Sequence, residues 1–220
     1  GSAAKNIGIN TLLDNIVRCF PPPTYKNEVE GLDPKTGNTL KRKIKSDEPF
    51  SAFVFKTITD PFAGKLTLFK IYSGEIHPDM TVLNVSKDEK ERIGQIFFLV
   101  GKKQKSAGFA SAGDIAVLSK LKDVGTGDTL CDEKNPIKYK EVSISQPVIS
   151  FSLQPKAKGD EDKLNTSLAR LIEEDQTIKY SRDEQTKEFI LSGMGQVHIE
   201  VVVEKMKRKF GVEVDLKEPK

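Results

Sequence analysis

The 220-residue sequence predicts two domains of different class, a mixed β and α+β architecture in which an antiparallel β-barrel precedes a ferredoxin-like βαββαβ domain. The first observation is a series of short segments rich in β-branched and aromatic residues between Phe50 and Leu130, separated by turn residues without a helical pattern. The second is a pair of amphipathic helical patterns after Gln146, flanked by strand patterns. Closing a barrel removes exposed strand edges, which suits strands this short.

The composition is typical of a folded globular protein: 37% of the residues are hydrophobic and 30% are charged. A net charge of +3 excludes a strongly basic protein that coats nucleic acid, but it leaves room for a local basic patch. The sequence has neither an apolar run of membrane-spanning length nor a signal-peptide pattern. Two distant cysteines, Cys19 and Cys131, favour a reduced, cytoplasmic protein without a metal site.

The first 23 residues predict a short helix at the end of a larger domain. Apolar residues recur at helical spacing from Ile9 to Val17, and three prolines, Pro21 to Pro23, end the helix because proline supplies no N–H. No partner element precedes this helix in the sequence, so residues 1–23 are interpreted as the remnant of another domain.

Residues 24–47 are polar and contain turn signals, which predicts a linker or a loose hairpin. The basic run Lys41 to Lys45 is interpreted as a solvated charge cluster, with contact to RNA phosphate as the alternative.

The barrel is assigned to residues 48–143 and the second domain to residues 144–220. The barrel strands are predicted at 52–56, 64–71, 81–85, 92–98 and 114–118. In the second domain the strands are predicted at 147–153, 177–180, 188–191 and 212–216, and the helices at 160–174 and 195–210. Leucines and isoleucine on one face of the first helix require a sheet to cover them.

The residues carry no recognisable catalytic machinery. The phosphate-binding pattern G-x-x-x-x-G-K-[ST] is missing from the sequence, and neither His77 nor His198 stands in a nucleophile motif. His198 is interpreted as a packed, hydrogen-bonded residue. No catalytic residue and no metal ligand is therefore expected, and both domains are interpreted as interaction or structural modules.

Several separated motifs occur in one order along the chain. They are Gly64-Lys65-Leu66, Ile71-Tyr72-Ser73-Gly74, Ala112-Gly113-Asp114-Ile115 and Thr126-Gly127-Asp128-Thr129-Leu130-Cys131-Asp132, then Gln154-Pro155-Lys156, Asp160-Glu161-Asp162-Lys163-Leu164, Glu173-Glu174-Asp175 and Ser192-Gly193-Met194-Gly195-Gln196-Val197-His198-Ile199-Glu200. The first four resemble domain II, and the last four domain III, of elongation factor G, a translational GTPase. Gly1-Ser2-Ala3, Leu12-Leu13-Asp14 and the three prolines resemble the end of its GTPase domain.

This resemblance implies a fragment that couples GTP state to translocation on the ribosome in the intact protein. Domain II would dock on small-subunit ribosomal RNA, and domain III would relay the nucleotide state. The implied partners are small-subunit RNA, ribosomal proteins and the other domains of the same chain; no membrane partner is expected, and the state is a monomer. Ser2 and Ala3 match the last guanine-contacting motif. GTP and magnesium are implied for the intact parent, and no cofactor is expected here.

Seven residues are candidates for ribosome or RNA contact. Four belong to the barrel and three to the second domain: Lys56, Lys65, Lys70 and Arg92, then Ser192, Lys205 and Arg208. A strand lysine is equally explained as a solvated side chain. Ser192 precedes a helix start, whose free N–H groups attract an anion or carbonyl, although the glycines there also serve the turn itself.

The sequence also departs from the family pattern. Gln196 and Val197 stand where glutamate and leucine are usual, and Gln176 where proline is usual. The stretch Phe98 to Gln104 resembles the paralogous elongation factor G-like branch. A paralogue acting in ribosome protection or regulation is therefore the alternative hypothesis, and a free-standing RNA-binding scaffold is a third.

Without a phosphate cradle and its magnesium ion, the residues present supply little of the energy that binds a nucleotide. We therefore expect this chain to show no measurable affinity for GTP. Isothermal titration of the purified chain with GTP checks this, and micromolar binding would contradict it.

Overall fold

The computed structural model describes residues 1–60, 64–101, 103–157 and 159–219. Three α-helices occur in this part of the chain: α1 (Ile9–Cys19), α2 (Glu161–Glu174) and α3 (Gln196–Phe210). Its strands are β1 (Glu28–Leu32), β2 (Thr39–Lys43), β3 (Ser51–Asp60), β4 (Gly64–Ser73), β5 (Glu75–Ile76), β6 (Thr81–Asn84), β7 (Glu89–Arg92), β8 (Ile96–Val100), β9 (Lys103–Ala107), β10 (Ala110–Ser111), β11 (Ile115–Ser119), β12 (Thr129–Cys131), β13 (Ile149–Pro155), β14 (Lys179–Arg182), β15 (Phe189–Gly193) and β16 (Val214–Lys217).

Eight antiparallel strands form the predicted barrel, in the order β7-β6-β12-β3-β4-β11-β8-β9. Apolar side chains from most of these strands meet in one core, where Val54, Phe69, Ile71 and Leu118 have no measurable exposure. Along β4, Phe69 and Ile71 point to this core and the intervening Lys70 does not, as the period of two requires. The barrel prediction is confirmed.

The segment predicted as one strand at 92–98 is two strands in the structure. β7 ends at Arg92 and pairs with β6, whereas β8 begins at Ile96 and pairs with β9 and β11. Between them Ile93 is fully buried and exchanges backbone hydrogen bonds with the turn that precedes β6. Gly94-Gln95 interrupts the apolar residues of this segment at the change of strand partner, and the prediction of a single strand did not take that interruption into account. Of the stretch Phe98 to Gln104, Lys102 lies outside the described residues.

Residues 24–47 contain a paired hairpin, β1 with β2, that packs against the barrel. Val29 and Leu40 lie against a small apolar cluster around Ile137 and Tyr139. Arg42 is buried, and its guanidinium donates to the carbonyls of Pro49 and Asn135 at 3.1 and 3.0 Å. Of the two descriptions predicted from the turn signals, the hairpin is the one observed.

Helix α1 has the apolar spacing that the sequence predicts, but none of its residues is buried. Val17 is 82% exposed, and Leu12 and Leu13 are more than half exposed. Its apolar face therefore contacts little of the described structure.

The second domain is a four-stranded antiparallel sheet in the order β14-β15-β13-β16. Helices α2 and α3 contribute Leu164, Leu168 and Ile199 to the core that Leu153 and Leu191 line from the sheet, so both helices cover the same face. Glu161 and Asp162 lie in the first turn of α2, where the helix dipole favours negative charge. The βαββαβ prediction is confirmed, with most strands starting one or two residues later than predicted.

None of the described helices has the length and apolar character needed to cross a bilayer.

The packing of the hairpin against the barrel depends on the small size of Gly31. A Cβ at this position would lie 2.6 Å from Cγ1 of Ile137 and 2.9 Å from the Lys138 carbonyl oxygen. We expect Gly31→Ala to cost about 1–3 kcal/mol of unfolding free energy because it overpacks this contact. Urea titrations of Gly31→Ala, Ile137→Ala and the double variant measure the coupling.

Gly94→Ala serves as the control, because a Cβ at Gly94 meets no atom within 4 Å. Strictly additive effects of the Gly31 and Ile137 substitutions would show that the hairpin does not pack as described.

Candidate nucleic-acid interface at the domain junction

The two domains meet around one buried carboxylate at the end of α2. Glu174 Oε1 accepts the backbone N–H of Thr59 on β3 at 2.6 Å and lies 2.8 Å from Nζ of Lys209 on α3. Nζ of Lys209 also donates to the Thr59 carbonyl at 3.4 Å. The Glu174 side chain is only 10% exposed, so this contact is largely shielded from solvent. It joins β3, α2 and α3 at a single point.

The position of Thr59 explains why a carboxylate is needed here. β12 pairs with β3 only from Ser51 to Phe53, so the later part of β3 has one paired edge, against β4. A backbone N–H on the other edge needs a partner when it is covered by a second domain. The Glu174 carboxylate supplies that partner.

Two further contacts join the domains beside Glu174. Nζ of Lys65 on β4 lies 3.5 Å from Oε2 of Glu173. Nε2 of Gln176 donates to the Thr126 carbonyl at 2.8 Å. The proline expected at position 176 from the family resemblance would have no side-chain donor for this contact between the domains.

His198 and Asp175 connect the end of α2 to the start of α3. Nδ1 of His198 accepts the Met194 N–H at 3.1 Å, which assigns the ring proton to Nε2, 3.0 Å from Asp175 Oδ2. Burial favours a higher pKa for Asp175, but hydrogen bonds from Thr177 and His198 outweigh it and hold the pKa of Asp175 below its ordinary value. His198 is thus a packed, hydrogen-bonded residue, as predicted.

A β-bulge in β3 faces the same junction. Val54 pairs with Phe69 and Lys56 with Leu68, so Phe55 is an extra residue in the ladder. A bulge interrupts the alternation of side chains, and both Phe55 and Lys56 are exposed. They line a cleft of about 460 Å³ together with Lys205 and Lys209 of α3. An aromatic ring and three ammonium groups therefore share one cavity between the domains.

Two of the seven contact candidates, Lys56 and Lys205, meet in this cleft. Lys65 is the residue that pairs with Glu173 at the junction, and its side chain is 25% exposed. The other four are dispersed, each beside a residue of its own domain. Nζ of Lys70 lies 5.6 Å from the ring centroid of Tyr72, Arg92 bonds Asp79 at 2.9 Å, Ser192 bonds Ser150 at 2.7 Å, and Arg208 lies 3.9 Å from Glu204.

Ser2 and Ala3 lie in a turn before α1. The Ser2 N–H and carbonyl are both bonded to Ile7, at 3.0 Å each, and the Ala3 carbonyl accepts the Asn6 N–H at 3.1 Å. The Ser2 amide is therefore already occupied. The Ser2 hydroxyl and the Ala3 amide are the groups of the predicted motif that could meet a guanine base.

Sequence reasoning missed Phe55, Glu174 and Lys209 as parts of the junction. The run Phe53-Val54-Phe55 breaks strand alternation, which was a usable signal for a bulge. No comparable signal marks Glu174 or Lys209, since charged residues on helices are ordinarily solvated.

Replacing Glu174 tests the junction. We expect Glu174→Gln to lower the unfolding free energy by about 1–3 kcal/mol, because Lys209 then loses its anionic partner in a shielded site. Glu173→Gln, at a half-exposed pair 3.5 Å from Lys65, is the matched control and should cost less than about 1 kcal/mol. Urea titration measures both, and equal effects would contradict the role of Glu174.

Comparison with known proteins identifies the family of the two domains. Residues 49–133 match the model for elongation factor G domain 2, and residues 144–218 match the model for elongation factor G domain III. Neither of these models describes a nucleotide-binding domain. A solved crystal structure of a Thermus thermophilus protein superposes with a TM-score of 0.77 at 27% identity over 100% of this chain. The chain spans 30% of the length of that protein.

The matches divide the chain at the same place as the structure does. One model covers the barrel and the other covers the four-stranded domain, and Glu174 lies in the second. The chain therefore belongs to the elongation factor G family, of which it carries domains II and III in tandem.

Proposed function

We propose that this chain is the part of a translational GTPase that contacts the ribosome and couples the state of GTP to translocation. The observation that carries the proposal is the pair of elongation factor G domains held together by a shielded carboxylate. In the intact protein the chemistry takes place in another domain. The residues of this chain position the two domains and transmit the state of GTP to the ribosome.

Transmission requires that a change at one domain alters the other. Two domains on a flexible linker could each bind their partners without influencing each other. A contact shared by both domains couples them, because a rotation of either domain changes that contact. Glu174 is such a contact, because its two partners, Thr59 and Lys209, belong to different domains.

The exposed apolar face of α1 supports a GTPase domain in the parent. Leu12, Leu13, Ile16 and Val17 all exceed 40% exposure, and such a stripe is stabilised when another surface covers it. We infer that the GTPase domain of the same protein covers α1. GTP hydrolysis there supplies the free energy, with magnesium on the phosphates, while Ser2 and Ala3 contribute guanine contacts.

Small-subunit ribosomal RNA and ribosomal proteins are the partners we propose, with the chain acting as a cytoplasmic monomer. The exposed basic residues on the barrel and α3 suit a phosphate-bearing surface, since Lys56, Arg92 and Arg208 all lie open to solvent.

Cosedimentation of the purified chain with small ribosomal subunits tests this proposal. We expect binding that weakens as salt rises, with a linear fall of log affinity against log salt, because counterions are released from RNA phosphates. Bovine serum albumin is the control for trapping in the pellet. A chain that stays in the supernatant at low salt would rule out ribosome contact.

The alternative is a paralogue that acts in ribosome protection or regulation. At the start of α3, Nε2 of Gln196 donates to Glu200 at 2.9 Å, an intrahelical bond that a glutamate at position 196 could not donate. The stretch Phe98 to Gln104, which resembles the paralogous branch and contributes residues to both β8 and β9, favours the same hypothesis. A translocation assay with the intact parent separates the two, because a paralogue would turn over GTP without moving transfer RNA.

A further inference from the structure

We propose that the junction cleft binds one unstacked nucleotide of a single-stranded RNA segment, with its phosphate on Lys56 and Lys205 and its base on Phe55. This inference rests on the proposed function, in which RNA is the partner. It goes further because it names the site, the residues and the form of RNA.

The lysines that line the cleft outnumber its carboxylates. Two carboxylates, Glu174 and Asp175, contribute to its wall, but each already has partners: Glu174 binds Lys209 and the Thr59 N–H, and Asp175 binds Thr177 and His198. The ammonium groups of Lys56 and Lys205 make no hydrogen bond or ion pair with any other residue that the structure describes. These two ammonium groups are therefore available to an anion that enters the cleft.

Phe55 lines both the basic cleft and an adjoining, mostly apolar recess of about 240 Å³, as do Thr126, Glu174 and Asp175. Phe53, Val142 and Ile144 supply the apolar part of the recess. The Phe55 side chain is 40% exposed although phenylalanine is ordinarily buried. A ligand that suits both cavities has an apolar planar part joined to an anionic part.

A nucleotide has this combination, and the bulge in β3 explains how the protein presents matching groups. Because Phe55 is an extra residue in the ladder, Phe55 and Lys56 are both exposed in succession instead of alternating. Base stacking on an aromatic ring, together with phosphate contacts from lysine, is the usual way in which proteins hold unpaired nucleotides. A duplex keeps its bases stacked, so it cannot offer a base face to Phe55.

The test measures anisotropy of a short fluorescein-labelled oligouridine with the purified chain. We expect Phe55→Ala to weaken binding about tenfold and Phe55→Tyr to retain it, because tyrosine preserves the aromatic face. Lys56→Gln and Lys205→Gln should each reduce the slope of log affinity against log salt by about 0.7. RNA duplex and inorganic phosphate should bind more weakly than the single strand.

Two control variants lie away from the cleft. Lys134 lies three residues after Cys131, which pairs with the opposite end of β3, so Lys134→Gln removes a lysine remote from the cleft. Phe109→Ala removes another exposed phenyl group of the barrel. Both should bind oligouridine like the wild type. Thermal unfolding of each variant identifies any that is misfolded.

A second readout uses only the wild-type chain: acetylation of Lys56 and Lys205 should slow when oligouridine is bound, whereas acetylation of Lys134 should not. Equal binding of duplex RNA, unchanged affinity of Phe55→Ala, or absence of protection would overturn the nucleotide site. If the chain nevertheless sediments with ribosomal subunits, the proposed function stands and only this site is wrong. If it does neither, both fail.

Discussion

The relation between the two domains depends on how one carboxylate satisfies an otherwise unpaired strand edge. β3 and β4 are the longest strands of the barrel, and β3 extends several residues beyond the part that pairs with β12. Its Thr59 N–H therefore faces away from the sheet, where α2 approaches. Glu174 accepts that N–H, and its negative charge also holds Lys209 of α3. Glu174 thus satisfies the unpaired backbone N–H and neutralises the lysine charge at the point where β3, α2 and α3 meet.

This arrangement gives the chain a surface that neither domain has alone. Lys56 comes from the barrel and Lys205 from α3, and only the junction places them in one cleft. Because the two lysines come from different domains, the orientation of the domains sets the separation of their ammonium groups. The nucleotide binding that we propose for the cleft would therefore depend on that orientation.

The departures from the family pattern gain a physical meaning from the same region. Gln176 donates to the Thr126 carbonyl across the junction, which a proline could not do. Gln196 donates to Glu200 within the first turn of α3, where two neighbouring carboxylates would repel each other. Both side chains are neutral donors, Gln176 across the junction and Gln196 within α3, and neither belongs to the two apolar cores.

The sequence by itself determined the two fold classes, because the period of two in the barrel segment and the helical spacing around Leu164, Leu168 and Ile199 each permit one way to bury an apolar face. It also specified the motifs by which the family is identified, and it marked Lys56 and Lys205 as candidates. Only the tertiary structure decided which partners β7 and β8 pair with, since Gly94-Gln95 can either interrupt one strand or separate two. Likewise, the roles of Glu174, Lys209 and Phe55 depend on contacts between residues more than 100 positions apart or on a shift in strand register. The run Phe53-Val54-Phe55 marks the bulge locally, but the contacts of Glu174 and Lys209 depend on how whole elements pack, and no local pattern of residue types encodes them.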